Sequence, residues 1–434
     1  VSYGQSRASE SGTESRQLSP VVADYWLMFD KVHAARLLLL IVIGLTGCTK
    51  PNPEFCCDSE VDCQAREVDE LRPCEVGVCV NNSCATSGCD GDEDCLDPNA
   101  AHCVAGQCVG DAELCVSVGG RIAFVSDRDG DEDIYVSYAD GSFPELLTLN
   151  DAREASPSWS VDGAKLSFRS DVTGPTDVFV VNADGIGIQN VSNSLDTETI
   201  IAWSPDSATL AFDATRSGQL STHVVTTTGS QIAVVITSDP ENGDPTWSPD
   251  GLKLVFRSGS TAMSKFNLHV STDRGVSSSQ LTPIVNAGQM DSSPRWSPDG
   301  LKIALLSTRN GNPDVWVVDP DGMNLTNLTA SATPELDFAW SPDSSKIAFV
   351  REIGGDRDVW IMNADGSAAI NLTLRPGADE HPRWSPDGAS LVFQTRRDGD
   401  TEVYRMGSDG SNATNITNEM SEDADPEWTG CNGL

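Results

Sequence analysis

Three observations predict an all-β fold, a seven-bladed β-propeller of four-stranded blades behind a small disulfide-rich module. A tryptophan motif recurs at a nearly fixed period, apolar residues alternate between the tryptophans, and cysteines crowd ahead of the first repeat. Tryptophan stands at 159, 203, 247, 296, 340, 384 and 428, and five of the six intervals are 44 residues, the other 49. A period of about 40 to 45 residues with strand-like patterning marks propeller blades.

Residues 1–27 are polar and Ser-rich, fit no part of a targeting signal, and are expected to be untranslated or disordered, with translation starting at Met28. Residues 28–47 read as a signal peptide. Lys31 and Arg36 precede an apolar run, Leu37 to Leu45, too short to span a bilayer. The ending Leu45-Thr46-Gly47-Cys48 resembles the lipobox of bacterial lipoproteins. That resemblance implies lipid attachment at Cys48, which becomes the mature N-terminus. No Asp follows Cys48 to suggest inner-membrane retention, so an outer-membrane lipoprotein facing the periplasm or the cell surface is expected.

Residues 48–116 form the expected cysteine-rich module. Eleven of the chain's 13 cysteines lie between 56 and 115, a density that belongs to an oxidising compartment. Cys57 to Cys63 repeats the spacing of Cys89 to Cys95, and Cys79 to Cys84 that of Cys103 to Cys108, so two units follow in tandem. With few large apolar residues, disulfides must restrain them. Zinc is the competing reading, disfavoured by spacing and compartment. If Cys48 carries lipid, eleven module cysteines leave one unpaired. Cys115 lies just before the first blade strand at Arg121 and Cys431 just past the last, so a Cys115–Cys431 disulfide is expected.

The repeat fills residues 118–430. After each Trp-Ser-Pro-Asp-Gly turn or its close variant, such as Trp159-Ser-Val-Asp-Gly163 or Trp340-Ser-Pro-Asp-Ser344, comes an alternating segment such as Leu166-Ser-Phe168 or Ile347-Ala-Phe349, a buried strand by its period of two. The next strand carries Tyr135, Phe179, His223, His269, Trp316, Trp360 or Tyr404, and a short last strand ends in Leu-Thr or a relative, as at Leu372-Thr373. The first unit lacks a Trp strand and the last Trp428 lacks a unit, so Asp425 to Trp428 should complete blade 1 in a 3+1 closure without a free edge. These motifs resemble the TolB-type, WD-like propeller repeat over 118–430, although TolB itself carries six blades behind an α/β domain. The resemblance implies a binding or scaffold role.

With 65 acidic and 28 basic residues, a net charge of −37 disfavours nucleic acid and anionic membrane surfaces. No nucleophile elbow, His-Glu-x-x-His or nucleotide-binding fingerprint occurs. Asp127 to Asp133 looks like a calcium loop but fails the EF-hand spacing and reads as a blade turn, while Asn324, Asn327 and Asn371 of the Asn-Leu-Thr triplets read as strand ends.

Two polar rings are expected at the channel mouth. Five residues before each Trp stand Glu154, Glu198, Asn242, Asp291, Glu335, Asp379 and Asp423; three before it stand Ser156, Ile200, Asp244, Ser293, Asp337, His381 and Asp425. A separation of two along an extended strand would put both sets on one face, an acidic funnel able to seat a divalent cation or a basic peptide. For the outer ring, structural bonds to a neighbouring blade or to Arg128, Arg216, Arg309 or Arg397 are the favoured reading. The expected function is a monomeric, non-enzymatic envelope lipoprotein that binds a protein or peptide partner and carries no obligatory cofactor. The alternative is a polyuronate lyase using His381 and a metal.

Overall fold

The computed structural model describes residues 102–104, 107–109 and 111–431, apart from 217, 235–238, 264, 274–276 and 285–287. Cys48, the signal peptide and residues 48–101 of the cysteine-rich module lie outside the described residues. The chain divides into two compact units, one of residues 1–97 with 103–108 and one of residues 98–102 with 109–434. The second unit is the propeller.

Seven four-stranded antiparallel sheets make up its blades, and in six of them the strands follow chain order from the inside outward. Blade 2, for example, runs through Glu154–Trp159, Lys165–Ser170, Asp177–Asn182 and Gln189–Asn190. Blade 1 is the exception in connectivity. Its inner strand is the C-terminal Asp423–Thr429, paired with Arg121–Ser126 in the register Ile122 to Trp428. Gly120, at φ +121°, lies so close to the Thr429 carbonyl and the Trp428 ring that a Cβ would not fit. A helix, Asp111–Val118, leads into the ring, and its Cys115 is disulfide-bonded to Cys431 across a sequence separation of 316 residues.

The repeat's residue choices follow from packing. The second-strand Phe or Leu pairs with the third-strand aromatic or histidine in every blade, from Phe124 with Tyr135 to Phe393 with Tyr404. His223 takes an aromatic's place, stacked on Phe212 at 5.8 Å, and burial pushes its pKa down to about 4. The indoles of Trp203, Trp340 and Trp384 donate to the carbonyls of Ser158, Arg295 and Ala339, each directly before the preceding blade's Trp. In the turn after Trp159, the Ser160 hydroxyl bonds Asp162 at 2.6 Å and accepts from the Lys165 amide at 2.9 Å, and five further blades repeat the device.

The acids five residues before Trp belong to this framework. Glu154, Glu198, Asp291, Glu335, Asp379 and Asp423 are fully buried, and Asn242 nearly so. Arg128 holds Asp423, Arg309 holds Asp291, Arg351 holds Glu335 and Arg397 holds Asp379. Each guanidinium also lies 4.6–5.0 Å over the third-strand ring, a cation–π contact that fixes it. Thr282 and Thr329 donate to Asp291 and Glu335 of the following blades at 2.6 and 2.7 Å. Arg216 departs from the expectation and pairs with Asp196 at 3.3 Å instead of Glu198.

Glu198 thus has no arginine and takes hydroxyl bonds from Ser192 and Ser194. Burial and the nearby Asp177 carboxylate raise its pKa to about 7 against these hydroxyl bonds. A raised carboxyl contributes stability that is whole below its unfolded pKa of roughly 4.3 and is lost as pH climbs through its folded value, at up to about 1.4 kcal/mol per unit. Glu198→Gln should therefore flatten the stability profile between about pH 4.5 and 7. Urea melts across that range check it; parallel profiles for wild type and variant would show that Glu198 ionises freely.

Candidate functional site

The inner strands do not alternate as a simple extended chain does. Each carries one extra residue against its partner, a β-bulge, as between Ala155 and Ser158 opposite Arg169 and Ser167. Where the residue two before Trp is Pro, the residue before it turns to positive φ: Ser156 at 51°, Asp244 at 54°, Ser293 at 50°, His381 at 53° and Asp425 at 52°. The blades with Ile201 and Phe338 in the Pro position show no such turn at Ile200 or Asp337. The bulge breaks the period of two. The expectation that both polar sets share one face is therefore corrected: Glu154, Glu198, Asp291, Glu335, Asp379 and Asp423 are buried between blades, and only the second set approaches the channel.

That set lies around a cavity of about 460 Å³. Ser156, Ile200, Asp244 and Ser293 line it together with Pro157, Ile201, Pro245 and Pro294, which follow them, and with Arg295, Arg383 and Glu427, which stand directly before their tryptophans. Asp337 joins through ion pairs to two of these residues, and His381 and Asp425 pair with each other. Asp337 bridges Arg295 at 2.8 Å and Arg383 at 3.2 Å, and Arg383 continues to Glu427 at 2.8 Å. Burial works against the charge on Asp337, but the two guanidiniums and His381 outweigh it and hold its pKa below the usual range. His381 Nδ1 lies 2.9 Å from Asp425. Burial opposes the imidazolium, yet the Asp425 bond and the Asp337 charge win and raise its pKa.

On the opposite wall, Arg257 pairs with Asp244 at 3.3 Å. The Asp244 amide, exposed by the bulge, donates to Asp213 of the preceding blade at 2.7 Å, and the Ser293 amide donates to Asp244 at 2.9 Å. Burial, with Asp244 nearby, pushes Asp213 up to about 8 despite these bonds. Arg169 meets Ser156 at 2.8 Å.

The expected acidic funnel is thereby corrected as well. Asp244, Asp337 and Asp425 are present, but arginine or histidine neutralises each, so they offer no ready seat for a divalent cation. Arg169, Arg257, Arg295, Arg383 and Glu427 escaped the sequence reading. A signal existed: the position before Trp reads Ser158, Ala202, Thr246, Arg295, Ala339, Arg383 and Glu427, charged in three blades where the repeat elsewhere sets a small residue.

A model of the TolB β-propeller domain matches residues 117–273 and 336–433, more than half of the chain. Among solved structures, puromycin hydrolase aligns with a TM-score of 0.57 at 16% identity, over 69% of this chain and 52% of its own, so this chain spans about half its length. Oligogalacturonate lyase from Vibrio parahaemolyticus aligns at 0.54 and 16% identity, over 66% and 86%. TolB from Acinetobacter baumannii aligns at 0.47 and 20% identity, over 72% and 67%. No curated protein sequence matches the chain significantly. Such low identities to structures speak to the fold alone, but the domain match and the sevenfold repeat agree: the chain belongs to the TolB β-propeller family.

Proposed function

We propose that the propeller is a non-catalytic binding module of a cell-envelope lipoprotein, anchored through Cys48, that receives a protein segment in its channel. The channel cavity carries this reading. Its lining includes an apolar group, Pro157, Ile200, Ile201 and Pro245, with Ile200 46% exposed although it is large and apolar. It also includes Arg295, Arg383 and Glu427, the two arginines linked through Asp337. An apolar side chain beside a charged tip fits such a surface, which combines an anchor pocket with fixed polar groups. The lyase alternative would use His381, which is paired with Asp425; among the described residues the acidic triad grouped closely enough to hold a metal ion is Asp129, Asp131 and Asp133, in the blade 1 hairpin.

A photo-crosslinker at Ser293 should capture one envelope protein in stoichiometric yield. Ile200→Arg, which plugs the cavity, should abolish capture, whereas Leu195→Arg on the exposed surface should leave it intact. Equal capture by both variants would place the partner elsewhere.

A further inference from the structure

The first hairpin of blade 1 departs from its repeat at a single junction. At the head of the third strand the repeat sets an acid whose oxygens are taken by the fourth strand's Asn-x-Thr or Asn-x-Ser. Asp177 receives Asn190 at 2.7 Å and Ser192 at 2.9 Å, Asp314 receives Asn327 at 2.6 Å, and Asp358 receives Asn371 at 2.8 Å and Thr373 at 3.3 Å. This device explains the Asn-Leu-Thr triplets at 327 and 371. In blade 1 the acid is Asp133. Thr148 supplies its Oδ1 at 3.0 Å, but the asparagine's place, opposite Tyr135, is taken by Leu146. Asp133 is fully buried and its Oδ2 has no donor.

Among the described residues three further buried carboxylate oxygens share this lack, two of them at this junction and the third Asp379 Oδ2. Asp131 Oδ2 is buried without a donor, and so is Oε2 of Glu154, the adjoining acid from blade 2. Glu154 Oε1 takes Ser170 at 2.6 Å and Asn150 at 3.1 Å. The guanidinium that neutralises Asp291 and Asp379 comes from Arg309 and Arg397; the matching position in blade 2 is Val172. Arg128, on the same hairpin, is committed to Asp423. Amide and guanidinium are thus both replaced by apolar side chains at one junction, where uncompensated buried carboxylates are costly. Oxygens of Asp129, Asp131 and Asp133 lie within 4.8 Å of one another, the first exposed and the last buried, so the cluster opens to solvent at one end.

We propose that Asp129, Asp131 and Asp133 bind a hard divalent cation, calcium by their all-carboxylate donor set, against Glu154 of the next blade. The ion supplies the positive charge that arginine supplies at other junctions. It fastens the blade closed by the C-terminal strand to its neighbour.

The test uses the full chain, stripped with chelator and titrated with calcium chloride by calorimetry, with terbium luminescence sensitised by Tyr135, which meets Asp129. Saturable binding and a melting temperature that rises with calcium are expected. Asp131→Asn should weaken binding roughly tenfold or more, since affinity follows ligand charge. Leu146→Asn restores the repeat's own amide donor, should fold as the other blades do, and should also weaken binding; it decides the matter if Asp131→Asn fails to fold. Absence of binding in the wild type would overturn the proposal and leave Asp133 and Glu154 sharing a proton. Unchanged affinity in both variants would overturn it too, by placing the ion elsewhere.

Discussion

A chain lacking residues 424–434 will fail to fold its propeller. The deletion removes Trp428, which packs with Ile122, Phe124 and Tyr135, and strips Arg121–Ser126 of its inner partner. It also frees Cys115. A ring with one incomplete blade exposes two apolar faces and an open sheet edge, so the loss spreads beyond blade 1 and invites edge-to-edge association. Circular dichroism should show loss of the cooperative transition, and size-exclusion chromatography should show aggregates. A monomer melting at the wild-type midpoint would contradict the 3+1 closure.

The second large effect is expected from Cys431→Ser. The Cys115–Cys431 bond closes a loop of 316 residues, and in the chain-entropy model a loop of that size restrains the unfolded state by on the order of 4 to 5 kcal/mol. Helix Asp111–Val118 is also pinned by Arg405, which donates to the Val118 carbonyl at 3.2 Å and lies 5.2 Å over Trp428. The variant should therefore keep its fold while its denaturant midpoint falls sharply with an unchanged slope. Urea melts of wild type and variant, both non-reduced, measure this. Coincident curves would show that blade 1 closes as firmly without the bond.

Much of this architecture was legible because a repeat states each local rule several times. One alternation such as Leu166-Ser-Phe168 is ambiguous alone; seven at a fixed distance from Trp are not, and they led directly to the paired residues from Phe124–Tyr135 to Phe393–Tyr404. The arginine roles at 128, 309 and 397 were legible for the same reason. The channel was not. Counting by twos along the inner strand assumed regular pleating, and one extra residue per strand moved Glu154 and Asp379 away from Ser156 and His381. Proline was the overlooked sign, because inside a sheet it is confined to edges and bulges. The ion network of Arg295, Asp337, Arg383 and Glu427 joins different blades through single substitutions, and repetition gives no help where a position departs from its repeat.

The central claim is that two neighbouring polar sets divide the labour, the buried acids holding the blades together and the channel residues binding a partner. Melting temperature and photo-crosslink yield, measured together on Asp379→Asn and Ile200→Arg, test this most directly. Asp379→Asn, which loosens the Arg397 pair at 2.8 Å, should lower the melting temperature and leave capture per folded molecule unchanged. Ile200→Arg should abolish capture at an unchanged melting temperature. The reverse pattern, capture lost in Asp379→Asn and kept in Ile200→Arg, would contradict the account.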